Sequence, residues 1–339
     1  MRLSIAAPLL AATLAGCSSA GLSASPATQP GFATDGAGLR AAHKTLHNVY
    51  WTLFASCSYP QIQYAPVPLK SDTIASNYFC SQGNGLNYSS GLRIDKSGRL
   101  WVICFGPDAG DPGEVEVYKL PLTSAAVPLY EILLSGTNDP DHLIFDKSGN
   151  LWVTSYKEGV TEYKGPFNKS GTLKPEKTIT AGLDEPSGIA MDKNGNLYVS
   201  NFAGGTSKSI AVFKAPLSNK LSYYLEGLTN AGGLIFDKSG NLYASSNGTS
   251  DDSIVRYDSN DLGSGKMPSI VDSTGASTYE NDFAWSATGD LYFANCGSTG
   301  SIYVYPTSTK KFSSTLAPTV DYTDADLTQA GCAWGIAIK

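Results

Sequence analysis

The side chains best suited to binding a cation come at the ends of predicted strands. Asp141 and Asn281 lie directly before one set of strands, and Asn201 and Asn295 end another set. Because these strand ends meet at one face, we expect the four oxygen donors to converge at the mouth of a central channel. Carboxylate and amide oxygens are ligands of Ca²⁺ and other hard divalent cations. One carboxylate with three amides predicts a weak site, and the same residues could instead cap strands and loops.

Other catalytic groups are scarce. The chain has three histidines, of which His43 and His47 precede the first predicted strand and His142 alone comes near the channel mouth. These positions assemble no Ser-His-Asp arrangement, and no glycine-rich phosphate loop precedes a helix. We therefore expect no catalytic residue and no cofactor, with Ca²⁺ or another divalent cation as the alternative.

The chain contains six cysteines. Cys17 stands apart near the N-terminus. Alignment of the predicted hairpins places Cys57 near Cys332 and Cys80 near Cys104, which predicts two disulfides. A second pairing, Cys57 with Cys80 and Cys296 with Cys332, joins neighbouring units instead. Spacing alone does not choose between the two sets, and no short ligand spacing indicates zinc.

The elements that carry these residues recur along the chain. An alternating strand, a turn of the Asp-Lys-Ser-Gly-Asn type and a second alternating strand start at residues 91, 142, 188, 233 and, more diverged, 282. The turn glycine supplies a positive φ. A third strand that ends in an aromatic residue and a weaker fourth strand complete each unit. Four antiparallel strands repeated every 45 to 51 residues predict the blades of a β-propeller.

Two repeated residue types receive structural interpretations. The turn aspartates could suggest calcium, but a carboxylate at this position can accept backbone N–H groups of its own turn. The aromatic residue that recurs in the second strand is best explained by packing between neighbouring sheets. The aspartates are Asp95, Asp146, Asp192 and Asp237, and the aromatic residues are Trp101, Trp152, Tyr198, Tyr243 and Tyr292.

The two chain ends supply one further blade. Trp334–Lys339 matches a first strand, Asn48–Thr52 matches a second, and Gln61–Tyr64 matches a third. Joining them pairs the edges that an open ring would leave free. The predicted fold class is therefore all-β, a six-bladed β-propeller over residues 42–339 whose closing blade is shared between N- and C-terminal strands.

The repeat Gly188-Ile-Ala-Met-Asp-Lys-Asn-Gly-Asn-Leu-Tyr-Val199 resembles the NHL repeat and its relatives, the six-bladed SMP-30/gluconolactonase-like propellers. The resemblance covers about residues 46–339. In such relatives a Glu, an Asp and Asn residues bind a divalent cation at the channel mouth, which implies metal-dependent lactonase or hydrolase activity. Asp141 and the asparagines partly match that set, but the segment that carries the family's Glu is absent.

The N-terminus predicts export and anchoring. Arg2 precedes the short apolar stretch Ile5–Leu14, which ends in Leu14-Ala15-Gly16-Cys17. This segment resembles the lipobox of bacterial lipoproteins. The resemblance implies a signal peptide at 1–16 and acyl chains of the palmitate type on Cys17. It also implies a membrane anchor in the bacterial cell envelope, at the outer membrane because Ser18 is not Asp. Residues 17–41, rich in Ser, Ala, Gly and Pro, predict a flexible tether.

Composition narrows the class of partner. A net charge of −6 argues against nucleic acid, whose phosphates need a basic surface. We expect a monomeric, non-catalytic binding or scaffold module for a protein, glycan or small ligand. The alternative is a metal-dependent hydrolase or lactonase of the SMP-30-like type at the channel mouth.

Overall fold

The chain forms six small β-sheets that surround a central channel as the blades of a propeller. This computed structural model describes residues 47–53, 62–78, 88–105, 112–123, 126–247, 253–272, 282–296, 300–306, 318–330 and 332–339. Cys17, Cys57, Cys80 and Asn281 lie outside the described residues. The innermost strands of consecutive blades contact one another in turn, and the last contacts the first, so the ring is closed. The predicted six-bladed fold is confirmed.

The strands follow one another in blade order. Blade I contains β1 (Asn48–Leu53), β2 (Ile62–Pro66) and β3 (Ser76–Tyr78). Blade II contains β4 (Tyr88–Ile94), β5 (Arg99–Phe105), β6 (Pro112–Lys119) and β7 (Tyr130–Asn138). Blade III contains β8 (Pro140–Phe145), β9 (Leu151–Ser155), β10 (Gly159–Tyr163) and, after the short β11 (Gly171–Leu173), β12 (Lys177–Ile179).

The second half of the chain continues the pattern. Blade IV contains β13 (Pro186–Met191), β14 (Leu197–Asn201), β15 (Ile210–Phe213) and β16 (Tyr223–Leu225). Blade V contains β17 (Ala231–Phe236), β18 (Leu242–Ser246), β19 (Ser253–Tyr257) and β20 (Ser269–Asp272). Blade VI contains β21 (Phe283–Trp285), β22 (Leu291–Asn295), β23 (Ser301–Tyr305) and β24 (Val320–Tyr322). The one-and-a-half-turn helix α1 (Ala325–Ala330) then leads to β25 (Ala333–Ile338).

Blade I is completed by the C-terminus, as predicted. Its sheet has the order β25-β1-β2-β3, and β25 pairs antiparallel with β1 through Val49↔Ile338 and Trp51↔Ile336. The chain therefore contributes the inner strand of its first blade last. One pairing was not predicted: β11, in the connection between β10 and β12, adds to the edge of blade II parallel to β7.

Antiparallel pairing within each blade defines two faces. We call the end with the connections between first and second strands, and between third and fourth strands, the turn face. The opposite end is the loop face. Side-chain hydrogen bonds link the two kinds of turn-face connection. Asn196 Oδ1 accepts the backbone N–H of Ala215, and Asn241 Oδ1 accepts that of Ser259, in the outer connection of the same blade in each case.

The repeated turn aspartates stabilise these turns. Asp192 Oδ1 accepts the backbone N–H groups of Asn194 (2.7 Å) and Asn196 (2.9 Å), and Asp237 Oδ1 accepts those of Ser239 and Asn241. Their second oxygens accept the amide of the Asn four residues later. The structural interpretation of the turn aspartates is therefore confirmed by their contacts.

Hydrophobic packing lies between blades. Six apolar clusters each join residues of two adjacent blades. Each cluster contains one aromatic side chain from the same repeat position, buried in every case: Tyr50, Trp101, Trp152, Tyr198, Tyr243 and Tyr292. Truncating a buried aromatic side chain of this kind to alanine costs about 3–5 kcal/mol. Tyr50 extends the series to blade I, which supports the match between the N-terminal strands and the repeat.

The cysteine prediction is partly wrong. Cys332 is bonded to Cys296, not to Cys57, because Cys296 follows β22 and forms an isolated antiparallel bridge with Cys332, with their Cα atoms 3.9 Å apart. The disulfide thus links blade VI to blade I, as in the second predicted pairing. Cys104 is buried, with Sγ 3.6 Å from Glu116 Oε2.

Helices of a length and hydropathy suited to crossing a bilayer do not occur among the described residues.

Removing β25 should abolish closure of the ring. We expect deletion of Trp334–Lys339 to lower Tm sharply and to broaden the thermal transition, because blade I loses its inner strand and the apolar contacts of Ile336 with it. Circular dichroism melting checks this. A six-residue deletion within the predicted tether, residues 24–29, is the control and should leave Tm unchanged. An unchanged Tm in the β25 deletion would contradict the closure.

Candidate functional site

Glycine sets the width of the channel where the inner strands come closest. A Cβ atom on Gly188 would lie 2.2 Å from the carbonyl oxygen of Gly232, and one on Gly335 would lie 2.8 Å from the backbone of Ser90 and Leu92. No side chain fits toward the neighbouring strand at such distances. Four of the six inner strands carry glycine at this repeat position: Gly91, Gly188, Gly233 and Gly335.

The remaining two inner strands carry titratable residues at the glycine position. These are His142 in blade III and Asp282 in blade VI, which lie opposite each other in a ring of six, and both are buried. The loss of glycine at these two repeat positions is a signal present in the sequence itself. It would have identified both residues.

Asp141 lies in the middle of the channel and contacts three blades. Its Oδ1 accepts the indole N–H of Trp334 in blade I at 2.6 Å, and its Oδ2 accepts the hydroxyl of Ser187 in blade IV at 2.7 Å. His142 Nδ1 lies 3.0 Å from the same Oδ2. The Asp141 side chain is only 1% exposed. Both carboxylate oxygens are thus engaged inside the protein, where a buried carboxylate needs such partners.

The Asp141–His142 pair shifts two pKa values in opposite directions. Burial works against ionisation of Asp141, but the charge of His142 and the hydrogen bonds of Ser187 and Trp334 hold its pKa below the ordinary value. Burial likewise works against the imidazolium, but the charge of Asp141, helped by Asp282, raises the pKa of His142. His142 Nε2 has no hydrogen-bond partner among the described residues.

A second ion pair crosses the channel one layer nearer the turn face. Arg93 in blade II binds Asp282 in blade VI through two N–H groups, one of them Nη2 to Oδ1 at 2.8 Å. Asp282 also accepts the backbone N–H groups of Phe283 (2.8 Å) and, from β25, Ile336 (3.2 Å). Blades II and VI flank blade I, so this bidentate pair spans the inner strand that closes the ring. We call it the closing ion pair.

A small cavity opens below the closing ion pair toward the turn face. It has a volume of about 250 Å³. The side chains that line it are apolar apart from Arg93. Ile144, Ala190 and Ile235 come from consecutive inner strands. Two further grooves, of about 570 and 330 Å³, lie between blades on the same face. They share Phe145 and Phe236, respectively, with the central cavity.

Among the described residues, the predicted cation ligands Asn201 and Asn295 show no contact with Asp141. Asn201 uses its amide on the loops around it: Nδ2 donates to the carbonyls of Gly182 and Lys208, and Oδ1 accepts the N–H of Asp184. Asn295 is buried at the end of β22, with Oδ1 lacking a hydrogen-bond partner in the described part of the chain. Asn281 is outside that part. Of the predicted set, Asp141 alone has been placed in the channel centre.

A carboxylate cluster lies elsewhere, in blade II. Oxygen atoms of Glu114, Glu116 and Glu131 come within 4.8 Å of one another, the only such group of potential metal ligands found among the described residues. Glu116 accepts hydrogen bonds from Tyr118 and Cys104. Three carboxylates at this separation suit a hard cation in ligand type. Sequence reasoning missed the cluster, because Glu131 faces Glu116 only through the pairing of β6 with β7.

The two faces of the propeller differ in charge. The described loop-face connections carry acidic residues with only two lysines, Lys157 and Lys208. The acidic residues are Asp139, Glu158, Asp184, Glu185, Glu226, Asp324 and Asp326. The turn-face connections carry most of the exposed lysines: Lys70, Lys96, Lys147, Lys164, Lys169, Lys193, Lys214, Lys220, Lys238, Lys266 and Lys339. The net charge of −6 conceals this separation.

Strained backbone marks the loop face. Asp139, Glu185 and Asn230 directly precede the inner strands of blades III, IV and V, and their φ angles are 46°, 50° and 47°. A left-handed conformation costs a non-glycine residue roughly 1–2 kcal/mol. Asn and Asp tolerate it better than Glu does. Strain of this kind, held by surrounding structure, concentrates at functional sites.

Comparison with known proteins supports the fold and no more. No protein-family model matches the chain, and no curated protein matches it. Among solved structures, a candidate 6-phosphogluconolactonase of Bacteroides fragilis superposes with a TM-score of 0.57 at 12% identity, covering 88% of this chain and 99% of that one. A protein of Lactobacillus plantarum gives 0.53 at 14% identity, covering 82% and 83%. A candidate 6-phosphogluconolactonase of Bacteroides uniformis gives 0.52 at 14%, covering 83% and 84%.

The closing ion pair should be strongly coupled to folding. Arg93→Met leaves Asp282 buried without its partner, and removing one member of a buried pair costs about 3–5 kcal/mol. We expect the double variant Arg93→Met/Asp282→Leu to be less destabilised than the sum of the single variants, measured as free energies of unfolding in urea. Strictly additive losses would contradict a direct interaction.

The histidine should make stability depend on pH. Because folding raises the pKa of His142, its stabilising contribution is complete below its unfolded value of about 6.5 and is lost as pH rises through the raised pKa. We expect the Tm advantage of the wild type over His142→Gln to shrink as pH increases through that interval. His47→Gln, at the exposed edge of blade I, is the control. A gap that is constant with pH would contradict this.

Proposed function

We propose that this protein is a lipid-anchored, non-catalytic binding module of the bacterial cell envelope. Its acidic loop face would bind a protein partner with a basic surface. The proposal rests on one observation. Both carboxylate oxygens of Asp141, the only carboxylate in the predicted cation site, contact protein groups, namely Trp334, Ser187 and His142. At the channel centre these groups hold blades together, which leaves the faces for recognition.

The loop face has features that suit recognition. Asp184, Glu185 and Glu226 are exposed there, and Glu185 is held in a left-handed backbone conformation. Asp139 and Lys157 form an ion pair at 2.6 Å, so the other carboxylates dominate the exposed charge of the described loops. An acidic surface attracts basic partners, speeds association and excludes acidic ones. The anchoring part of the proposal rests on the resemblance of Leu14–Cys17 to a lipobox.

The alternative is a hydrolase of the lactonase type. It is favoured by a buried Asp–His pair whose Nε2 lacks a described partner, since such a pair resembles part of a general-base system. The candidate 6-phosphogluconolactonases among the structural neighbours and the resemblance to SMP-30/gluconolactonase-like NHL propellers point to lactone substrates. A bound divalent cation would belong to this alternative.

Charge reversal on each face tests the proposal. We expect Asp184→Lys/Glu185→Lys/Glu226→Lys to lose a partner that the wild type retains in affinity capture from detergent-solubilised envelope. Retention by the wild type should weaken as salt shortens the range of surface charges, which is about 8 Å at physiological ionic strength. Lys193→Glu/Lys238→Glu, on the turn face, is the matched control and should keep the partner.

Measurements on the wild type and its variants distinguish the proposed binding role from the hydrolase alternative. Capture that is equal in the two charge variants would contradict recognition by the loop face. Hydrolysis of 6-phosphogluconolactone by the wild type, lost in His142→Ala and accompanied by a metal-dependent rise in Tm that Asp141→Ala removes, would establish the hydrolase instead. A metal-dependent rise removed only by Glu116→Gln would place the cation in the blade II cluster.

A further inference from the structure

Large apolar side chains protrude from the turn face. Ile74 is 90% exposed, Val127 75%, Met267 60% and Leu129 44%. They belong to the connections between third and fourth strands in blades I, II and V. Ile74, Val127 and Leu129, in the neighbouring blades I and II, therefore lie at the same end of the molecule. The Met267 side chain instead lies against Gly227, in the loop-face connection between blades IV and V. Among the described residues, one other large apolar residue is comparably exposed. This is Ile270 (50%), which lies in β20 three residues after Met267.

The same face presents ammonium groups. The lysines of the inner turns, Lys96, Lys147, Lys193 and Lys238, are all exposed, whereas the turn aspartates are half-buried. Lys96 Nζ donates to the carbonyl of Lys147 in the next blade at 2.7 Å, and Lys339 Nζ donates to Gly98 at 3.2 Å. These contacts link the turn-face ends of inner strands in adjacent blades.

Acidic groups on the turn face are largely matched by partners. Glu176 pairs with Lys164 at 2.5 Å, Asp261 pairs with Lys266 at 2.6 Å, and Asp258 pairs with Arg256 at 2.7 Å. Asp72 is exposed. The carboxylates of the inner turns accept backbone N–H groups, as described above. Lys193, Lys214, Lys220 and Lys238 are exposed on this face, and no ion pair to a carboxylate is found for them among the described residues.

The N-terminal segment joins the propeller at this face. β1 starts beside the end of β25, where Lys339 donates its backbone N–H to the Asn48 carbonyl at 3.0 Å and His47 Nδ1 lies 2.6 Å from the Lys339 carbonyl. Lys339 in turn contacts the inner turn of blade II. His47, the first described residue of the chain, thus lies at the turn face.

We propose that the turn face of this protein lies against a phospholipid surface with anionic headgroups. Protruding apolar side chains enter the interface between headgroups and acyl chains, and surrounding lysines bind the phosphates; this combination is what membrane-surface association requires. The inference goes beyond the proposed function, because it assigns a lipid-contacting surface to the propeller itself. It assigns an orientation as well, since the acidic loop face then points away from the membrane.

Vesicle flotation tests the face without the lipid. The protein begins at residue 17 and carries Cys17→Ser, so that neither the signal peptide nor an acyl chain contributes; all strands follow His47 and the propeller is retained. We expect binding to vesicles of phosphatidylcholine with phosphatidylglycerol, weaker binding to phosphatidylcholine alone, and release at high salt. Ile74→Ser/Val127→Ser/Leu129→Ser should lower the partition coefficient roughly tenfold or more.

Matched variants make the outcome decisive. Lys193→Gln/Lys238→Gln should weaken binding to the anionic vesicles only, whereas Lys157→Gln/Lys208→Gln, on the loop face, should leave it unchanged. The apolar variant removes exposed side chains, and an unchanged Tm confirms that it folds. Equal binding of the apolar variant and its parent, or equal loss in the two lysine pairs, would overturn the proposal. The mass of the chain purified from membranes reports acylation of Cys17 separately, and affinity capture reports the partner separately.

Discussion

Closure of the ring at blade I is the constraint on which the rest of the structure depends. β25 reaches β1 only after the chain has passed through five other blades, and four kinds of contact hold it there. Besides the strand pairing, these are the Cys296–Cys332 disulfide, the closing ion pair over Ile336, and the Trp334–Asp141 hydrogen bond. The disulfide and the contact of Asp282 with Ile336 link blade I to blade VI, and the Trp334 hydrogen bond links it to blade III. With the ring closed, every apolar cluster has two sheets around it.

Closure also explains why the channel is filled with ionisable groups. Glycine brings four inner strands close together, and the space left at the centre is occupied by His142, Asp282, Asp141 and Arg93. Burying such groups is costly unless they are paired; here Asp282 contacts Arg93, and Asp141 contacts His142. The Arg93–Asp282 pair joins blades II and VI, and the Asp141–Trp334 hydrogen bond joins blades III and I, neither of which is a pair of adjacent blades. These contacts hold the inner strands together at the centre of the fold, and the exposed charges are divided between the two faces.

The sequence allowed the fold to be predicted well and the channel poorly, for related physical reasons. Periodic features, such as the turn aspartates and the buried aromatic position from Tyr50 to Tyr292, report a repeated local environment, so pattern alone identifies them. Arg93, His142 and Asp282 are departures from the pattern at positions that the other blades fill with small or apolar residues. Arg93 and Asp282 are partners from blades far apart in the chain, and His142 contacts its neighbour Asp141. Asn201 has the residue type of a ligand but caps loops. The disulfide pairing depends on which strand ends lie side by side, and two arrangements of the predicted hairpins gave two different pairings.

The late arrival of β25 has a consequence for how the molecule is made. A polypeptide that is synthesised or translocated from its N-terminus displays blade I without an inner strand until its last residues emerge. During that interval β1 has an unpaired edge, and the cluster around Trp51 lacks Ile336. Contacts between residues nearly three hundred positions apart form slowly because their loop must close first. Completion of the chain, rather than the assembly of any single blade, thus becomes the step that commits the molecule to its native state.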